Sequence, residues 1–146
     1  MNLKDYDRRL VEIFKMKSFF TISDLPDIVR IDFKNDYIEE LFNEALTLVE
    51  KLFNIDVFYA RISFWDKEYE EKYSSKCILI EEKKDCLVGI FKFRFFDIEF
   101  KELLIRHLCY EKGLDPYLNI TSFFFNFDSK ILLNIYDDRG ADYLKK

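Results

Sequence analysis

The side chains most suited to binding a ligand or to catalysis lie near the end of the sequence, where residues 135–142 read Ile-Tyr-Asp-Asp-Arg-Gly-Ala-Asp. Two adjacent carboxylates beside a guanidinium could hold a divalent cation through oxygen ligands or take part in an enzyme site. The same residue types also make turns: Asp caps backbone N–H groups, Arg pairs with carboxylates and Gly adopts positive φ. We predict a structural corner formed by Asp137, Asp138, Arg139 and Gly140, and keep a ligand or metal site there as the alternative.

Imidazole and thiol chemistry has little support in this sequence. Cys109 follows the only histidine, His107, by two residues, which places the two side chains on different faces of one helix. His107 stands among apolar helix positions, as a hydrogen-bonded, largely buried histidine does. The three cysteines form no CxxC pair, so we predict buried, reduced thiols. With only 3 Gly and no phosphate-binding glycine loop, we predict no catalytic residue, no metal ligand and no cofactor.

Residues 65–73 mix acidic residues with aromatic rings and contain neither Gly nor Pro. A solvated connection is the ordinary interpretation of such a segment. As a function it suggests a protein-binding edge, because Trp and Tyr give contact area at low entropy cost and acids steer a basic partner. The predicted partner-binding residues are Trp65, Asp66, Glu68, Tyr69, Glu70 and Glu71, together with Glu40 and Glu44 on the acidic face of a predicted helix.

Periodicity indicates the elements that position these residues. Apolar spacing predicts helices over residues 3–17, 36–53 and 97–112, with Asp36 capping the second and Gly113 ending the third. Alternating or β-branched runs predict strands over residues 28–33, 56–65, 77–80, 86–95, 117–127 and 130–136. The strict alternation over residues 91–95 predicts a sheet with one solvent-exposed face.

These elements predict a single α+β domain over residues 1–146. Its mainly antiparallel sheet has about five to six strands, with two to three helices packed on it. A 49% hydrophobic share beside 35% charged residues is typical of a folded protein. The 23 basic and 28 acidic residues give a net charge of -5, which argues against nucleic acid and anionic membranes as partners. Residues 1–9 are too charged for a signal peptide, so we predict a cytoplasmic protein.

The C-terminal string carries a family resemblance. Tyr136-Asp137-Asp138-Arg139-Gly140, followed by Ala141-Asp142, resembles the C-terminal signature of a bacterial family, DUF 3885, a domain of unknown function. Residues 37–53 and 55–59 resemble that family's acidic amphipathic helix and following strand, and residues 100–108 resemble its second helix. The resemblance covers roughly the last three quarters of the chain. It implies a fold and no activity.

The function predicted from these features is protein binding. Small size, mild acidity, the lack of a catalytic set and the aromatic-acidic segment suggest an immunity protein whose partner is a cognate bacterial toxin domain, such as a nuclease. Basic toxins would be attracted by charge and blocked by steric and electrostatic occlusion. We expect a monomer or weak homodimer. The alternatives are a ligand- or metal-binding protein or enzyme using Asp137, Asp138 and Arg139, and a housekeeping interaction domain.

Overall fold

A seven-stranded antiparallel sheet forms the centre of the computed structural model, which describes residues 1–54 and 56–146. The strands are β1 Val29–Asp32, β2 Phe58–Phe64, β3 Cys77–Glu82, β4 Leu87–Phe93, β5 Ile120–Asn126, β6 Ile131–Asp137 and β7 Gly140–Lys145. They lie in the order β1-β7-β6-β5-β2-β4-β3, and each neighbouring pair is antiparallel. The predicted α+β class is confirmed, and the predicted count of five to six strands is too low.

The helices are α1 Leu3–Phe14, α2 Ile38–Phe53 and α3 Ile98–Lys112, with a 3₁₀ helix over Glu71–Lys76. α3 ends as predicted at Gly113, which has a left-handed φ of 69°. The predicted cap of α2 is wrong: Tyr37, rather than Asp36, is its N-cap, and no side chain bonds there. Within the described residues, no helix is long and apolar enough to cross a membrane.

One face of the sheet packs against α2 and α3. Alternate residues of β2 point to this side, and Phe58 is fully buried at its centre. The Phe58 ring lies 4.9 Å from the ring of Phe53 on α2 and 5.0 Å from that of Phe100 on α3. These aromatic contacts fix both helices over the same part of the sheet.

The opposite face is also covered, so the prediction of one solvent-exposed face is wrong. α1 and residues 15–28 bury this side through a second apolar cluster that includes Leu10, Phe14 and Leu132. Consecutive phenylalanines over residues 123–125 of β5 already required apolar surroundings on both faces. Arg61 of β2 adds a buried ion pair, because its Nε lies 2.7 Å from an Asp7 carboxylate oxygen on α1.

The strand that the prediction missed is β7. The predicted last strand ended at Tyr136, whereas β6 continues to Asp137, turns at residues 138–139 and returns as β7 between β6 and β1. The Asp-Asp-Arg-Gly turn residues obscured the short strand pattern that follows them. β4 is shorter than predicted and ends at Phe93, because the Arg94 N–H donates to the Asp97 carboxylate 2.8 Å away.

Candidate functional site

The C-terminal corner uses its charged side chains internally. One carboxylate oxygen of Asp137 accepts the Arg139 backbone N–H at 2.7 Å, and the other accepts the Arg139 Nε at 3.0 Å and Nη2 at 2.9 Å. Asp138 lies 3.1 Å from the Lys112 ammonium at the end of α3. Both carboxylates therefore already have cationic partners.

Gly140 is needed at this corner for close packing rather than for positive φ. A methyl group on its Cα would overlap the carbonyl oxygen of Ile31 and lie 2.5 Å from the hydroxyl oxygen of Tyr136. Its φ is not in the left-handed region, so the conformational reason inferred from sequence is wrong. The adjoining strand is fixed as well, because buried Asp142 accepts bonds from Arg30 of β1 at 2.8 and 3.0 Å. That contact raises the pKa of Arg30 above its usual value.

The described residues give little support to metal or imidazole and thiol chemistry. No set of three or more His, Cys, Asp and Glu side chains there could hold a metal ion. His107 is 1% exposed, and burial lowers its pKa to about 4, so the neutral imidazole donates from Nε2 to the Ile135 carbonyl oxygen 3.2 Å away. Burial raises the pKa of Cys109 and of half-buried Cys77, which favours the thiol forms.

A cavity of about 620 Å³ lies beside residues 66–70, and we call it the rim cavity. Its volume falls in the range of roughly 300–1,000 Å³ typical of ligand pockets. It brings together four of the predicted partner-binding residues with side chains from α3 and the loop after it. The lining residues are Asp66, Lys67, Glu68, Tyr69, Glu70, Leu87, Arg106, Tyr117, Leu118 and Asn119.

Arg106 forms the charged floor of the rim cavity. Its side chain is 11% exposed, with Nη1 2.7 Å from a Glu70 carboxylate oxygen and 3.0 Å from the Tyr73 hydroxyl. Burial opposes the charge on Arg106, but Tyr73 and Glu70 raise its pKa above the usual value. Lys72 first, and Arg106 as well, lower the pKa of Glu70. The charges of the floor are therefore compensated, although the Arg106 Nε is buried with no hydrogen-bond partner among the described residues.

The rim of the cavity carries charges without partners. Asp66 and Glu68 are exposed and form no ion pair within 4.0 Å among the described residues, whereas Lys67 approaches Glu82 at 3.6 Å. Tyr117, which also lines the cavity, is 47% exposed, and its ring lies 5.6 Å from that of Tyr110. Exposed carboxylates and an exposed aromatic ring therefore line the same cavity.

Two residues of the same predicted segment do not line the cavity. Trp65 is half-buried on the α1 face of the sheet, where its indole N–H donates to the Thr121 hydroxyl at 2.9 Å and its ring stacks on Phe20 at 5.6 Å. Glu71 is exposed at the start of the 3₁₀ helix and does not line the opening. Of the six predicted partner-binding residues in this segment, Trp65 is therefore used in packing, Glu71 is exposed outside the cavity and the other four line the cavity.

The two predicted residues on α2 also lie outside the rim cavity. Glu44 accepts the backbone N–H groups of Lys34 at 3.0 Å and Asn35 at 3.2 Å, so it braces the loop before α2. Glu40 is exposed beside Glu44 in a separate shallow depression. Of the two, Glu40 alone keeps a side chain with no hydrogen-bond partner in the described part of the chain.

Sequence reasoning missed the cavity residues Arg106, Tyr117 and Leu118. Arg106 follows Leu103 by three positions, which puts it at the border of the buried stripe of α3 and marks it as a partly buried cation. No spacing rule connects that position with residues 66–70. The peptide N–H of Leu118 donates to the Arg106 carbonyl oxygen at 3.1 Å, which holds this part of the loop against α3.

The family assignment follows from a comparison of the whole sequence. The sequence model of a family described as "Domain of unknown function (DUF3885)" matches residues 9–145. The chain belongs to this family. The match includes both the C-terminal corner and every residue of the rim cavity in this DUF3885 chain. No curated protein matches the chain, and no solved structure does.

Proposed function

We propose that this DUF3885 chain is a small protein-binding domain, an immunity protein that neutralises a cognate bacterial toxin in the cytoplasm. The observation that carries the proposal is the rim cavity, where Asp66 and Glu68 lack ionic partners among the described residues and lie near the exposed ring of Tyr117. Protein interfaces concentrate binding energy in such pockets, with aromatic residues at the centre and polar residues around them.

Electrostatics supports a basic partner. The net charge of -5 attracts a basic protein over distance, and the unpaired rim carboxylates orient it on approach. A toxin nuclease has a basic surface because it binds phosphates. A domain of this size seated on that surface blocks access by occlusion, with no chemistry required of the inhibitor.

The corner gives the alternative ligand or metal function less support. Asp137 and Asp138 already face Arg139 and Lys112, so a divalent cation would have to displace two cationic side chains. A housekeeping interaction domain would use the same rim cavity with a partner other than a toxin. That possibility is decided by the experiment below.

The test is co-expression with the toxin domain encoded by the neighbouring upstream reading frame, with co-purification and host survival as readouts. We expect binding and survival with the native chain, and loss of both with Asp66→Lys/Glu68→Lys. The matched control is Glu12→Lys/Glu50→Lys, which makes the same change in net charge at exposed helical positions outside the cavity.

Three results would contradict parts of the proposal. If the neighbour does not bind or the host dies, the immunity function with that partner is wrong. If the neighbour binds without being toxic, the domain is an interaction module of another kind. If both double variants protect equally, the rim cavity is not the contact surface. We also expect the association rate to fall as salt rises.

A further inference from the structure

We infer that the rim cavity receives an arginine side chain of the partner protein. This inference rests on the proposed function, and it specifies which chemical group of the partner the cavity recognises. The observations behind it are the charges of the floor, the unpaired carboxylates of the rim and the aromatic side chains of the lining.

The walls of the cavity suit a long side chain with a planar cationic end. Leu87 and Leu118 offer apolar surface for methylene groups. Tyr69 and Tyr117 offer rings against which a guanidinium can stack. The Tyr69 ring is held in place by packing 5.7 Å from Phe64, so that wall is preorganised.

The charge distribution favours a cation over an anion. Among the described lining residues, Arg106 is the buried cation, and Glu70 and Tyr73 already occupy its Nη1, while its Nη2 lies 3.5 Å from the Tyr117 carbonyl oxygen. Its Nε has no hydrogen-bond partner in the described part of the chain, but this atom is buried and out of reach of a ligand in the opening. An incoming anion would compete with Glu70 for that guanidinium. An incoming cation meets Asp66 and Glu68, which have no ionic partner in the described part of the chain.

Arginine fits these features better than lysine. Its planar guanidinium presents several N–H donors in a fixed fork, so one group can bond to two carboxylates and stack on a ring. Exposed Tyr110 extends the apolar surface beside Tyr117, because the two rings lie 5.6 Å apart. Such surrounding contacts exclude water from a central anchor, and arginine is among the residues most often found as anchors.

The experiment titrates the isolated protein with Nα-acetyl-arginine methylamide and follows backbone amide shifts by NMR. Matched probes are the lysine analogue and the uncharged citrulline analogue, which keeps the shape of arginine. We expect shifts at residues 66–70 and 117–119 with the arginine probe, weaker shifts with lysine and none with citrulline. Asp66→Asn/Glu68→Gln should weaken binding about tenfold, and Glu12→Gln/Glu50→Gln should leave it unchanged.

The inference is overturned if the arginine probe shifts none of these amides, if citrulline shifts them equally, or if the rim variant binds as well as the native chain. The toxin assay separates this result from the proposed function. Protection of the host without arginine binding leaves the immunity function and removes the arginine anchor. Arginine binding at the rim without protection keeps the recognition chemistry and removes the toxin as partner.

Discussion

The C-terminal corner and the rim cavity contain the same kinds of residue and use them differently. Each has an arginine among carboxylates: Arg139 beside Asp137 in the corner, and Arg106 beside Glu70 in the cavity. In the corner, both acidic side chains face cations and a glycine is enclosed by neighbouring atoms. In the cavity, the network on the floor is compensated while the acidic rim is left open.

This difference shows why a conspicuous sequence string is a poor guide to function by itself. The Asp-Asp-Arg-Gly residues join β6 to β7 and contact β1. Turn geometry and ion pairs at this junction account for the presence of these four residue types. Within residues 66–70, Asp66 and Glu68 have no such structural explanation, since neither has an ionic partner among the described residues. Charged side chains that have no ionic partner and lie beside a cavity are the better indicator of a binding site.

The largest expected loss of stability is caused by Gly140→Ala in the C-terminal corner. The added methyl group must displace the Ile31 carbonyl, so we expect a loss of about 3 kcal/mol in the free energy of unfolding. Gly113→Ala is the matched control: it has open space but a left-handed φ, and should cost only about 1 kcal/mol. Urea denaturation measures both. Equal losses would mean that the corner is not closely packed.

The next largest effect is a pH dependence of the free energy of unfolding caused by His107, which bonds to β6 next to the C-terminal corner. Because burial lowers the pKa of His107 from 6.5 to about 4, the unfolded chain binds a proton between these values and the folded chain does not. Stability is therefore complete above the unfolded pKa and declines on acidification, with about 2 kcal/mol lost by about pH 5. Denaturation of the native chain and of His107→Gln at each pH isolates this contribution, since carboxylates act in both. Parallel pH profiles would contradict it.

Periodic patterns predicted most of the fold. The spacing of apolar residues located three α-helices and six strands, because burial of one stripe or one face requires that spacing. It missed β7, whose six residues follow strong turn formers, and it left one face of the sheet uncovered. The covering residues 15–28 have no regular period, and the Arg61–Asp7 pair that fixes α1 joins positions 54 apart.

The candidate site was predictable only in part, for a similar reason. The composition of the segment singled out four residues that line one cavity in the structure, namely Asp66, Glu68, Tyr69 and Glu70. Composition could not show that Trp65 points to the opposite face or that Glu44 binds backbone N–H groups. Arg106 and Tyr117 come from distant parts of the chain, and sequence spacing has no information about which loops meet.

A smaller effect is expected on the cavity floor, from Tyr73→Phe. The change removes the hydroxyl that accepts a bond from Arg106 but keeps the buried ring, and Glu70 still pairs with the guanidinium. We expect a loss of about 1 kcal/mol by urea denaturation. Tyr69→Phe is the control, because the Tyr69 hydroxyl meets Ser74 in an exposed contact at 3.3 Å and should cost much less. A loss from Tyr73→Phe as large as that of Gly140→Ala would make the floor as structural as the corner.

The smallest effect on stability is expected at the rim. Asp66→Asn/Glu68→Gln removes two exposed charges that have no ionic partner in residues 1–54 and 56–146, so the free energy of unfolding should change by less than about 0.5 kcal/mol. The comparable change at the corner, Asp137→Asn/Asp138→Asn, breaks contacts with Arg139 and Lys112 and should destabilise the protein more. Urea denaturation of the two double variants under one condition gives the comparison directly. If the rim variant were the less stable of the two, its carboxylates would be structural, and the contrast that supports the proposed binding site would be lost.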